Sequence, residues 1–154
     1  MEYLMKPIGL IHSPFSTKEE TPIQPVRSQA RGVVEVYPQF EAGLDDLEGF
    51  SHLFLLYVFH RSEGYELKVR PFLDDSLHGL FATRYPCRPN PIGLSVVELV
   101  SRQGSRLEIL GVDVLDGTPL LDIKPYVPEF DTRQNVRSGW FMEGREGSYR
   151  EYKK

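Results

Sequence analysis

Apolar residues almost never recur at helical spacing in this chain, and that scarcity limits its fold more than any other feature. A doubly wound sheet needs strands that alternate with long amphipathic helices, and no stretch supplies them. The exception is Phe40, Leu44 and Leu47, which fall at i, i+4 and i+7 with Gly49 as a stop; they predict one short helix over about residues 39 to 48. Elsewhere 12 prolines and 13 glycines cut the sequence into short runs. "KPIGLIHS" (6–13) and "GVVEVYPQF" (32–40) suit short strands. "HLFLLYVFH" (52–60) is continuously apolar, dense in aromatics and too short for a helix, so it reads as a strand buried on both faces. "YELKVRPFL" (65–73) alternates Tyr65, Leu67 and Val69 with Glu66, Lys68 and Arg70, the period of a strand with one wet face. "LSVVELV" (94–100) and "RLEILGVDVL" (106–115) flank "SRQGS", whose Gly104 would close a hairpin. The class expected is all-β, mainly an antiparallel β-barrel with one or two short helices.

A length of 154 residues predicts a single domain over 1–154 with room for a real core. No apolar stretch approaches the roughly 18 residues of a membrane span, and "MEYLMKPIG" lacks the pattern of a signal peptide. Cys87 is the only cysteine, which excludes an internal disulfide and fits a reducing cytoplasm. The net charge of −4 argues against holding nucleic acid by bulk electrostatics, so any RNA contact must be local. Twelve of the 18 basic residues are Arg, several close in sequence: Arg27 with Arg31, Arg84 with Arg88, Arg133 with Arg137. The guanidinium fork suits carboxylate or phosphate.

Dinucleotide, P-loop, metalloprotease and hydrolase signatures are missing, and the four histidines are scattered without ligand spacing, so no metal is expected. Two stretches stand out. In "FATRYPCRPNPIGLS" (81–95), Pro86, Pro89 and Pro91 fix their own φ and push the residue before each toward extended geometry. Such a path is rigid before any ligand arrives, and it would present Arg84, Arg88 and Asn90, while Gly93 allows close backbone approach. A stiff connection between two strands would explain the same residues. In "LDGTPLLDIKPYVP" (115–128), Asp116-Gly117 is a turn dipeptide, and Asp122, Lys124 and Tyr126 share one face of an extended segment. They form either an outward salt bridge with a neighbouring phenol, or the polar lining of a pocket with a base and an electrostatic partner.

"IGLIHSPF", "FSHLFLLYVFH", "FATRYPCRPNPIGLS" and "LDGTPLLDIKPYVP", in this order, resemble the TsaA-like β-barrel family. Its characterised members include S-adenosylmethionine-dependent methyltransferases that act on N6 of threonylcarbamoyladenosine beside the tRNA anticodon. The likeness runs over about residues 6 to 130; the tail 131–154 resembles that of short members, whereas longer ones add a C-terminal domain. It implies a cytoplasmic homodimer of small barrels, with S-adenosylmethionine near the subunit interface and tRNA as partner. The cofactor positions it implies are Gln24, Pro25 and Val26, then His60 and Arg61, then Arg84 and Leu94, and the turn from Asp113 through Asp116 and Gly117 to Thr118. Arg88 and Asn90 join this set from the proline-rich corner. For an acceptor as poor as a carbamoylated amine, Asp122 and Tyr126 are the candidate bases and Lys124 their electrostatic partner. Methylation of a small metabolite or another RNA, or binding of the cofactor without turnover, would use the same pocket.

Overall fold

Eight strands are present in the computed structural model, which describes residues 1–22, 29–71 and 75–141. They are β1 (Gly9–His12), β2 (Arg31–Val36), β3 (His52–Val58), β4 (Lys68–Val69), β5 (His78–Gly79), β6 (Ile92–Gln103), β7 (Arg106–Leu110) and β8 (Thr118–Pro125). Six close into an antiparallel barrel in the order β1-β2-β7-β6-β3-β8, with β8 returning to β1; β4 and β5 pair separately. Period-two burial explains the closure. Ile11, Val34, Leu53, Leu55, Val97, Leu107, Ile109 and Leu120 all point inward and form one buried cluster. Closure also leaves none of the six strands with an unpaired edge.

The alternation corrects the reading of 52–60. Leu53, Leu55 and Tyr57 are buried, whereas Phe54, Leu56 and Val58 are only half-buried. The outer face of β3 is apolar but only partly covered, with the Tyr126 ring against Phe54. Across the ladder, Leu56 faces Leu94 and Val58 faces Ile92, so the apolar stripe continues onto β6.

Two other expectations change. The stretch 39–48 forms no α-helix but two short 3-10 segments, Pro38–Leu44 and Leu47–Gly49, separated by Asp46 at φ 72°. Leu44 and Leu47 still plug the core, and Phe40 remains outside. Helical spacing marked the right apolar contacts, but the left-handed Asp46 breaks the run between Leu44 and Leu47. Only Lys68–Val69 of 65–73 is a strand, paired with His78–Gly79, and Tyr65 and Leu67 are exposed; Phe72 and Leu73 lie outside the described residues.

The β6–β7 hairpin is tighter than its sequence suggests. Gln103 pairs with Arg106, so Gly104 and Ser105 alone make the turn, with Gly104 at φ 61°. β7 stops at Leu110, where Gly111 turns at φ 95°. The following residues 111–114 are all buried. They cross the end of the barrel like a cork, tied down by the Ser13 hydroxyl, which donates to the Val114 carbonyl at 2.5 Å.

Candidate functional site

Antiparallel closure gathers distant segments at one mouth of the barrel. β1, β3 and β7 end there, and β2, β6 and β8 begin there. The mouth is therefore built from residues after His12, around Arg31, after Val58, before Ile92 and from Gly111 to Thr118. Backbone bonds lace these together: Phe59 N–H donates to the Pro91 carbonyl, Gly111 N–H to Ala30, Asp116 N–H to Phe15 and Gly117 N–H to Ile11.

A buried polar chain lies just inside. Ser95 Oγ donates to Asp113 Oδ1 at 2.6 Å, and Tyr57 Oη lies 2.7 Å from Ser95 Oγ. Serine has one hydroxyl proton, so with Asp113 ionised the phenol must be the donor to Ser95. Burial pushes the Asp113 carboxyl up to about 7, against the hydrogen bond from Ser95 and the charge of Arg84. Burial beside the same carboxylate also raises the Tyr57 phenol. A carboxyl that titrates near neutrality at a barrel mouth is the kind of group that sites use to hold or move a proton. Its partners are packed by design of the backbone: a Cβ on Gly93 would run into the Tyr57 ring and come within 2.8 Å of Phe59 Cζ.

The structure brings most of the expected cofactor positions to this mouth. His60 and Arg61 follow β3, and Arg61 Nη1 donates to the Ser16 carbonyl at 3.4 Å. Arg84 is close enough to Tyr57 and Asp113 to act on both electrostatically. Gly117, at φ 80°, makes the turn into β8, and Thr118 Oγ1 donates to the Leu115 carbonyl at 2.6 Å. Asp116 Oδ1 accepts from the Ser13 amide at 3.0 Å and lies 3.7 Å from His12 Nδ1. Leu94 sits lower, half exposed on the outer wall opposite Leu56. Gln24, Pro25 and Val26 lie outside the described residues.

Arg88 and Asn90 take parts that the sequence did not separate. Arg88 Nη1 donates to the Thr83 and Tyr85 carbonyls, both at 2.9 Å, so its guanidinium clamps its own corner. The Asn90 carbonyl accepts from Ile92 N–H at 2.7 Å, turning the chain into β6.

Asp122, Lys124 and Tyr126 do share a face, but it is the outer wall, leading away from the mouth. At about 3.3 Å per residue, Asp122 stands roughly 13 Å down β8 from Thr118. A one-residue slip in the β3–β8 register, with Leu121 as the extra residue, turns Asp122 outward. Its Oδ2 lies 3.3 Å from Lys124 Nζ, and the Tyr126 ring leans on Phe54 at 5.5 Å between centroids. Tyr57 and Ser95 escaped the sequence reading because both sit inside apolar runs. Their parity was the signal: each falls on the inward face, with Leu55 and Val97 respectively.

The family described as tRNA-methyltransferase O N-terminal domain matches residues 10–132. A probable S-adenosyl-L-methionine-binding protein of Pyrococcus abyssi is 58% identical over 136 residues, 88% of this chain and 74% of that protein. The human tRNA (adenine(37)-N6)-methyltransferase is 40% identical over 141 residues, covering 86% of this chain and 32% of its own. The crystal structure of TrmO from Pseudomonas aeruginosa superposes with a TM-score of 0.77 at 43% identity, over 90% of this chain and 62% of that one. The chain thus spans less than two thirds of that solved protein and about a third of the human enzyme.

Proposed function

The chain belongs to the tRNA-methyltransferase O N-terminal domain family, and on that premise we propose that it methylates tRNA in the cytoplasm, using S-adenosylmethionine, at N6 of threonylcarbamoyladenosine beside the anticodon. The observation that carries this reading is the convergence of Arg84, the Asp113 carboxyl and the 113–118 turn at one mouth.

The donor set there fits the cofactor in chemistry. Arg61 and Arg84 suit the carboxylate of its methionine end, and Asp116 suits ribose hydroxyls. When bound, S-adenosylmethionine supplies a methyl group on a sulfonium. The chain's residues then have to align donor and acceptor and exclude water. Asp122 is our candidate to take the proton from the acceptor nitrogen, with Lys124 holding the carboxylate in place and Tyr126 closing the face as a hydrogen bonder.

Because this trio stands away from the mouth, we propose a second copy of the chain against the β3–β6 wall. Ile92 and Leu94 are exposed there, in line with the half-buried Phe54, Leu56, Val58 and Val96. A seam on that wall would bury the stripe and would put the trio beside it.

Single-turnover transfer of a labelled methyl group to threonylcarbamoylated tRNA tests the reading. Wild type should transfer, and Asp122→Asn should be slower by about 10²-fold or more. If Asp122→Asn and Tyr126→Phe both keep the wild-type rate, the base assignment falls. If the cofactor binds but no RNA is methylated, the protein is a binder, as the Pyrococcus relative's name has it.

A further inference from the structure

The corner at residues 81–88 displays two large aromatics that the fold had every reason to hide. Phe81 is 74% exposed and Tyr85 45% exposed. Neither lies on a floppy segment. Thr83 Oγ1 donates to the Leu80 carbonyl at 2.7 Å, and Arg88 ties up the carbonyls of Thr83 and Tyr85. From the other side, Trp140 Nε1 donates to the Ala82 carbonyl at 2.7 Å, and its ring stacks on His78 at 4.6 Å. Pro86, Pro89 and Pro91 stiffen what remains. The side chains are thus presented on backbone that needs no further ordering, which lowers the entropic cost of binding to them.

Charge selects the occupant. Although the chain carries a net −4, residues 76 to 97 contain no Asp or Glu, while Arg84 and Arg88 both lie in that stretch. The Arg88 guanidinium carbon stands 5.9 Å from the centroid of the Phe81 ring, putting a cation beside a flat π face. Exposed rings interleaved with arginine are what unpaired bases and their phosphates bind, the rings by stacking and the cations along the backbone. A duplex hides its base faces and gains little from such rings.

Resting on the reading of the protein as one that acts on RNA, we infer that Phe81, Tyr85 and Arg88 form a stacking platform for unpaired RNA bases, placed beside the mouth so that a looped-out strand is held next to the site. Arg84 joins the two, since it belongs to the corner by sequence and acts on Asp113 and Tyr57 by charge.

Fluorescence anisotropy with a labelled anticodon stem-loop, and with a fully paired duplex of equal length, tests this on the full chain. The stem-loop should bind more tightly than the duplex. Phe81→Ala and Tyr85→Ala should each weaken stem-loop binding by about tenfold or more, whereas Phe81→Trp should keep it. Both side chains are exposed, and an unchanged melting temperature will confirm that the variants fold. Equal binding of stem-loop and duplex, or Ala variants that bind like wild type, would overturn the platform. Methyl transfer measured in parallel separates the two ideas. If wild type transfers no methyl group while stem-loop binding depends on Phe81 and Tyr85, the activity falls and the platform stands; if kcat/KM for tRNA is intact in both Ala variants, the platform falls and the activity stands.

Discussion

Asp113 sits where solvation and function pull against each other. Its carboxyl binds a proton more tightly in the folded chain than in the unfolded one, with a folded value of about 7. Between about pH 4 and 7 the native state therefore carries more protons than the unfolded state, and stability falls as pH rises. Its stabilising share is complete below the unfolded value and is gone above about 7. Asp113→Asn keeps the shape without the titration, so its unfolding free energy should lose this slope, a difference on the order of a few kcal/mol across the window; denaturant melts at pH 4.5, 6 and 7.5 will show it. An unchanged slope would mean that other groups carry the pH dependence. Gly93 offers a second check, because a methyl there displaces the Tyr57 ring and with it the phenol's bond to Ser95. Gly93→Ala should cost about 1–3 kcal/mol in the same melts, as overpacked cores do.

At the level of strands, period-two alternation made the barrel legible from sequence, and the same rule exposed its error at 52–60. An unbroken apolar run says that both faces are hydrophobic. It does not say that both are covered, since that depends on what stands outside the sheet. The apolar outer face of β3 and β6 gives the proposed dimer its test. Leu56→Arg should leave the interior intact, because Leu56 points outward, and should shift the particle from twice the chain mass to one chain mass in size-exclusion light scattering. A wild type that already runs as one chain would remove the seam and leave Asp122 and Tyr126 without a neighbour to serve. The candidate site was legible where chain punctuation marked it, at Asp116-Gly117 and the three prolines. It was illegible at Tyr57 and Ser95, where polar atoms sit among apolar neighbours and only the closure of the barrel brings Asp113 to them. Arg88 shows a part that its charge alone did not reveal: its Nη1 holds the Thr83 and Tyr85 carbonyls of its own loop.

For the molecule as a whole, ligand linkage is the broadest test. S-adenosylmethionine at about 100 times its dissociation constant should add roughly 2.7 kcal/mol of stability, enough to raise the melting midpoint by something like 5–10 °C at this chain length, with ATP as the control. No shift at millimolar cofactor would detach the mouth from the ligand that its donor set fits. The contact between Trp140 and the 78–82 segment carries a practical consequence of its own. Trp140 is the chain's only tryptophan, and it rests against His78 and Ala82 at the edge of the proline corner. Its emission is therefore a built-in optical gauge of that corner, readable without any label: a strand settling on the rings, or the segment around Trp140 lifting away, will register as a change in colour or intensity from one defined place in the fold.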